Sequence, residues 1–499
     1  MSKAEKEAFV TGHTGTSVSE ILLVCVSAPI GVFLFHELRN YHETNHKKSL
    51  SFQMAVALES LTILLPITIC QTVLLHPLGV GLLALMLTVA SIMHLCRTGA
   101  KKFSNDVTNM VIAARACIDT SSDCAKDEEA SGSAKFEFLT FYRSSVSYLT
   151  FVAILAVDFP IFPRSFAKTE IYGHGLMDVG AGSFCFSGGL VSWYARRKGD
   201  SKAENKRFKK VAIRCIPLLM VGFMRLLTTK GLEYQEHVSE YGVHWNFFFT
   251  LTMVGISSTF IRAVLNVKNP IGWIALLFSY QFMLSNGLQE YIEDAPRHCN
   301  EGYYNNILGP ACHVFAANRE GILGCIGYLI FHLASEDIAY YCLWRSQHRN
   351  QGARLAMATA ISWSVHFIFA SLFGIQVSRR STNASFVAWT IAHNMTILSL
   401  SWLAFKLGNS IKIPLAAGTG KKDAGEEVNP PIFDAVNRHG LPIFLLANLM
   451  TGAVNLSIDT MHASNLTAIV VIFLYLCAVG AVALLLDWKP RSDKKAKIS

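Results

Sequence analysis

Charge is scarce in this chain. Only 16% of its 499 residues are Asp, Glu, Lys or Arg, while 52% are hydrophobic. A soluble domain carries roughly 25% charged residues, so an ordinary soluble fold is excluded and lipid must solvate much of the surface. Paired cysteines of the CxxC kind are missing too. The twelve cysteines stand singly, mostly within apolar runs, where a free thiol behaves as a small hydrophobe. A structural zinc site therefore has no sequence support. No basic stripe interleaved with aromatics accompanies the formal net charge of +9, which leaves nucleic acid without a binding surface. A cleavable leader is not evident either: Lys3 and Lys6 mix with Glu5 and Glu7 before the first apolar run, and no small-residue cleavage site follows.

What is present is a series of continuous apolar runs of about twenty residues. In hydrocarbon only helices and closed barrels satisfy the backbone, and unbroken runs rather than short alternations select helices. The expected fold is an all-α, polytopic transmembrane helical bundle with about 13 spans. They lie near 20–36, 54–75, 77–95, 145–160, 176–194, 211–228, 247–265, 271–286, 321–334, 355–378, 385–405, 440–458 and 466–487. Alternate loops collect the basic residues: Arg39, Lys47 and Lys48; Arg97, Lys101, Lys102 and Arg143; Arg196 through Lys210; Arg345 and Arg349; Lys421 and Lys422; and the tail Lys489 to Lys497. The positive-inside rule puts these on the cytosolic side, with a cytosolic C-terminus and a non-cytosolic N-terminus. The expected organisation is a short segment 1–19, one membrane domain 20–487 and a basic tail 488–499.

Dense polar groupings at span ends are the exception in such a chain and mark candidate sites. Four lie on the side away from the basic loops. In AILAVDFPIFPRSFAKTEIYG, prolines break the helix around Asp158, Arg164 and Lys168, freeing backbone groups that only protein or a watery cavity can receive. Asp158 follows an apolar run, with Arg164 and Lys168 as available cations. In LEYQEHVSEYGVHWNFFFT, Glu233, Glu236, His237 and Glu240 recur at helical spacing ahead of His244 and Trp245, a face suited to a polyol or to proton transfer. The pattern is not HExxH, and no metal is expected. In FAANREGILGCIGY, Asn318, Arg319 and Glu320 fit either a helix start or a phosphate contact. In VSRRSTNAS, Arg379 and Arg380 run against the positive-inside trend. Cys299 and Cys312 share a loop on this face and are candidates for a disulfide in an oxidising compartment.

These strings, together with KEAFVTGHTGTSVSEI, GAGSFCFSGGLVS and LPIFLLANLMTGAVNLSIDTMHAS, resemble the glucosaminyl-phosphatidylinositol inositol acyltransferases, whose fungal members are called GPI-anchored wall transfer proteins. The resemblance covers nearly the whole chain; one departure is Ser165, where relatives commonly carry a second arginine. It implies transfer of a fatty acyl group, usually palmitoyl, from acyl-CoA as co-substrate to the inositol 2-hydroxyl of glucosaminyl-phosphatidylinositol (GlcN-PI) in the endoplasmic reticulum membrane. It further implies that Asp158 and Lys168 are catalytic. The terminal K-A-K-I-S, 495–499, resembles a dilysine retrieval signal and agrees with that address. A lipid or polyol transporter is the rival reading, since buried acids and glycine-interrupted spans also mark transport pathways. The absence of repeated halves weighs against it.

Overall fold

The computed structural model describes residues 12–73, 77–98, 136–196, 204–231, 238–263, 265, 269–297, 310–345, 350–409 and 429–488. Among these residues the regular structure is helical, with one isolated bridge between Gly15 and His174 and no named strand. Among the described residues nine helices are long and apolar enough to cross a membrane: Val18–His46, Phe52–Val73, Leu78–Thr98, Glu137–Ala156, Ile271–Asp294, Arg319–Trp344, Gln351–Leu372, Gly440–Ser457 and Asn465–Asp487. Each overlaps an expected span, although Val18–His46 and Arg319–Trp344 run well past the expected ends at 36 and 334 and Glu137–Ala156 begins well before 145. The other four expected spans are also helical, at Leu176–Leu190, Glu204–Gly231, Phe247–Ala263 and Ala384–Gly408, but do not belong to those nine. The chain is thus a multi-pass helical membrane protein. Leu449, Leu456, Leu466 and Leu474 lie exposed on its helices, the apolar outer face that lipid contact requires.

The chain divides into two units. The first comprises Met1–Ser17 and Arg164–Thr396. Its central helix is Arg319–Trp344, against which Leu176–Leu190, Phe247–Ala263 and Ile271–Met283 pack. Glycine permits one of these approaches: a Cβ at Gly189 would run into Ser335, and one at Gly182 would meet Thr390 Cγ2 at 2.7 Å. Close packing therefore accounts for Gly182 and Gly189 of the GAGSFCFSGGL run. The helix Ile271–Asp294 kinks at Asn286 and Gly287, where Gly287 has φ 98°.

The second unit comprises Val18–Pro163 and Ile397–Ser499. Val18–His46 packs on Pro77–Thr98 and on the helix Phe52–Val73, while the short helix Pro431–Arg438 lies against Glu137–Ala156 and Asn465–Asp487. Pro431 stands at the first position of that helix, where its missing N–H costs nothing. The next two N–H groups, of Ile432 and Phe433, donate to the fully buried carboxylate of Glu59 at 2.7 and 2.8 Å. A buried acid thus caps a helix start, satisfying donors and the helix dipole together.

Candidate active site

The helix Glu137–Ala156 ends where the sequence turns to DFPIFP, and the chain passes through turns to a single 3-10 turn, Arg164–Phe166. Phe159, Phe162 and Phe166 are fully buried and anchor this irregular stretch by apolar burial. Asp158 is half-buried, and Asn455 Nδ2 donates to its Oδ2 at 2.7 Å. Arg164 is half-buried at the start of the 3-10 turn.

In the first unit the stretch 167–175 is tied down at several points. Glu170 N donates to His13 O at 3.1 Å, Thr16 N to His174 O at 2.7 Å, and Gly173 N to Val377 O at 2.9 Å. Lys168 pairs with Glu240. Arg379 stands between two carboxylates, with Nε 2.8 Å from Asp178 Oδ1 and Nη2 3.6 Å from Glu240 Oε1. Burial opposes the charge on Arg379, but Glu240 and Asp178 more than offset it and raise its pKa above the ordinary value. Tyr241, half-buried, has its pKa raised by desolvation and by neighbouring Tyr328 and Glu240. His174 is pushed down to about 4 by burial, with His366 adding to the effect. Its ring packs edge-on against Trp389 at 4.7 Å.

A second cluster gathers around Glu320. Arg297 donates to both of its oxygens, at 3.1 and 2.6 Å, and Arg380 Nη2 approaches Oε1 at 3.2 Å. Arg319 is buried beside it and donates to the carbonyls of Ile292 and Pro296, each at 3.0 Å. It does not reach outward as a snorkelling arginine would. Asn318 occupies the N-cap position, yet its side chain makes no cap bond. Its Oδ1 accepts instead from His244 N at 2.7 Å and Trp245 N at 2.9 Å. Gly242, at φ 98°, makes that approach possible: a Cβ there would press on Ala317 O and Asn318 Cα at 2.5 Å. Trp245 donates its indole N–H to Thr250 Oγ1 at 3.0 Å.

The structure therefore joins Lys168, Glu240 and Arg379 in one set and Arg319, Glu320 and Arg380 in another, while His244 and Trp245 are positioned by Asn318. The two arginines that broke the positive-inside pattern are held by acids. Glu233, Glu236, His237, Cys299 and the tail 489–499 lie outside the described residues; Cys312 is disulfide-bonded. Among the described residues no group of three His, Cys, Asp or Glu side chains is placed to hold a metal ion. Four polar partners were not singled out from sequence: Asp178, Thr169, Arg297 and Asn455. A lone acid within the apolar stretch GLMDVGAG was the available signal for Asp178.

Comparison with known proteins extends over almost all of the chain. The GWT1 family model matches residues 2–486. The chain is 35% identical over 520 residues to GPI-anchored wall transfer protein 1 of Aspergillus fumigatus, covering 97% of each chain. It is 34% identical over 519 residues to the protein of that name from Aspergillus oryzae and 30% identical over 522 residues to that of Saccharomyces cerevisiae, again covering 97% of each chain.

Proposed function

The chain belongs to the GWT1 family, and from that premise we propose that it transfers a fatty acyl group, palmitoyl in the first instance, from acyl-CoA to the inositol 2-hydroxyl of GlcN-PI in GPI-anchor biosynthesis. The name its relatives carry speaks of GPI-anchored proteins and of transfer; the acyl donor and the acceptor hydroxyl follow from the DFPIFPRSFAK resemblance. One observation carries the reading. Where Glu137–Ala156 breaks, the chain sets out an acid with an amide partner, Asp158 with Asn455, and further along an amine with a carboxylate partner, Lys168 with Glu240.

An inositol hydroxyl is a poor nucleophile until a base takes its proton, whereas a thioester carbonyl is already electrophilic. Asp158 accepts the hydroxyl proton as the oxygen bonds to the thioester carbon. The carbonyl oxygen then bears the negative charge, and the Lys168 ammonium stabilises it. Collapse of the tetrahedral intermediate breaks the carbon–sulfur bond, and the departing CoA thiolate takes up the proton. Arg164, Asn318, Arg319, Glu320, Arg380, His244 and Trp245 shape the GlcN-PI headgroup side, with Glu233, Glu236 and His237 assigned to it from sequence. The same reading puts the chain in the endoplasmic reticulum membrane with about thirteen spans, a luminal N-terminus and a cytosolic C-terminus. Acyl-CoA enters from the basic cytosolic side.

The test uses membranes from cells lacking their own inositol acyltransferase, supplied with GlcN-PI and radiolabelled palmitoyl-CoA. Label is expected on inositol with the parent chain, and a loss of at least about 100-fold with an equally expressed Asp158→Ala chain. A well-folded parent that transfers no label sinks the reading in favour of transport. Full activity of the variant moves the base to His244 or His237.

A further inference from the structure

Asp178 sits in the first turn of the helix Leu176–Leu190, a favourable place for a carboxylate near a helix N-terminus. It is 1% exposed. Its Oδ2 accepts the backbone N–H of Thr169 at 3.2 Å and the Thr169 hydroxyl at 2.8 Å. Thr169 is the residue directly after Lys168. The other carboxylate oxygen faces Arg379 Nε at 2.8 Å, and Arg379 Nη2 lies 3.6 Å from the Glu240 oxygen that pairs with Lys168 Nζ. The contacts close on themselves: Lys168 to Glu240, to Arg379, to Asp178, to Thr169, and through one peptide bond back to Lys168.

Exposure is graded around this ring. Asp178 is 1% exposed at its side chain, Arg379 7%, Glu240 13% and Lys168 37%. Two cations and two anions balance within it, and the ammonium is the end that meets the surroundings. A lysine side chain is long and rich in rotamers, and an amine left to find its geometry unaided is a poor stabiliser of a forming charge. A single buried carboxylate that fixes both the backbone beside Lys168 and the counter-ion of its amine removes that freedom from two directions. Gly175 keeps the loop end close, since a Cβ there would meet Asp178 Oδ2 and Ala167 O, each at 2.5 Å.

We propose that Asp178 is a positioning residue for Lys168, acting through Thr169 on its backbone and through Arg379 and Glu240 on its ammonium. The proposal rests on the reading of Lys168 as an acyl-transfer residue, and it turns Glu240 and Arg379 from substrate contacts into parts of the support. Asp178→Asn keeps an acceptor for Thr169 and removes the charge that holds Arg379. Arg379 then draws Glu240 away from Lys168.

The experiment compares the detergent-purified full chain with Asp178→Asn, Asp178→Glu and Thr169→Val. Reductive methylation of Lys168 is measured by peptide mass spectrometry relative to Lys47, alongside kcat and KM for palmitoyl-CoA. In Asp178→Asn, Lys168 labelling is expected to rise about threefold or more, and kcat to fall at least about tenfold with KM changed less than about threefold. Asp178→Glu is expected to recover part of kcat. Should Asp178→Asn fail to fold, Thr169→Val carries the test, because it deletes one hydroxyl bond in a near-isosteric side chain; a rise in labelling with a fall in kcat supports the ring. Parent-like labelling in a folded variant overturns the proposal whatever the activity. Raised labelling together with a fully active Lys168→Ala chain upholds the ring and overturns the reading of Lys168 on which the proposal rests.

Discussion

In the unit formed by residues 18–163 and 397–499, the Glu37 carboxylate receives Arg97 on both oxygens, at 2.7 and 3.0 Å, and His94 at 3.0 Å. Arg97 also reaches Leu407 O at 3.3 Å. Glu59 spends both of its oxygens on the start of a helix. His94, Ile432 and Phe433 are buried, Arg97 is 11% exposed at its side chain, and each acid is essentially unexposed. In the other unit Asp178 is equally buried, but its chain of partners runs outward to an amine that is more than a third exposed. The same device, a buried carboxylate with cationic partners, closes on itself in one place and ends in an exposed amine in the other. A closed cluster specifies packing, whereas an open one also orients what lies at its end.

The largest effect that can break this comparison comes from the closed cluster. Arg97→Leu leaves Glu37 buried without its guanidinium and is expected to cost about 3–5 kcal/mol of stability, read as a lowered thermal midpoint in detergent. Replacing both Glu37 and Arg97 by apolar residues should recover most of that loss. Transfer per folded molecule should stay near parental in both chains. A folded Arg97→Leu chain that no longer transfers would erase the distinction between the clusters.

A middle-sized effect concerns acid. Folding holds His174 near pKa 4 against an ordinary 6.5, so between those values the unfolded chain binds the proton first. Stability is therefore full above about pH 6.5 and falls as the pH drops towards about 4. The parent's thermal midpoint should decline through that window more steeply than that of His174→Gln; equal slopes would show that the loop beside Lys168 does not depend on a neutral imidazole. The smallest effect is expected at the exposed pair Asp459 and His462, 2.9 Å apart, where His462 lowers the Asp459 pKa. His462→Ala should leave the thermal midpoint and transfer unchanged, because an exposed pair is screened by water and salt. A clear loss there would mean that surface charge matters as much as either buried cluster.

Much of this molecule was legible as text. Long apolar runs dictate membrane helices because hydrocarbon offers the backbone no other partner, and the nine clear spans fall where such runs lie. The polar strings around Asp158, Lys168, Glu240, Asn318 and Arg379 stood out because ionisable groups are costly at membrane depth and rarely kept without a use. Prolines in DFPIFP announced a break, and a break is present. Partnership was not legible. Asn318 read as a helix cap, yet it holds the backbone of His244 and Trp245, and nothing in the local spacing foretold the two carbonyls that Arg319 meets. Arg97 read as a topology signal in a basic loop, and it pairs with an acid from another helix. Asp178, a lone acid in an apolar stretch, was not singled out at all. Hydropathy and local spacing describe what a residue is and which neighbours along the chain share its face. Which distant charge it meets depends on how helices far apart in sequence pack, and only the tertiary structure brings Asp178, Arg379, Glu240 and Lys168 into one ring.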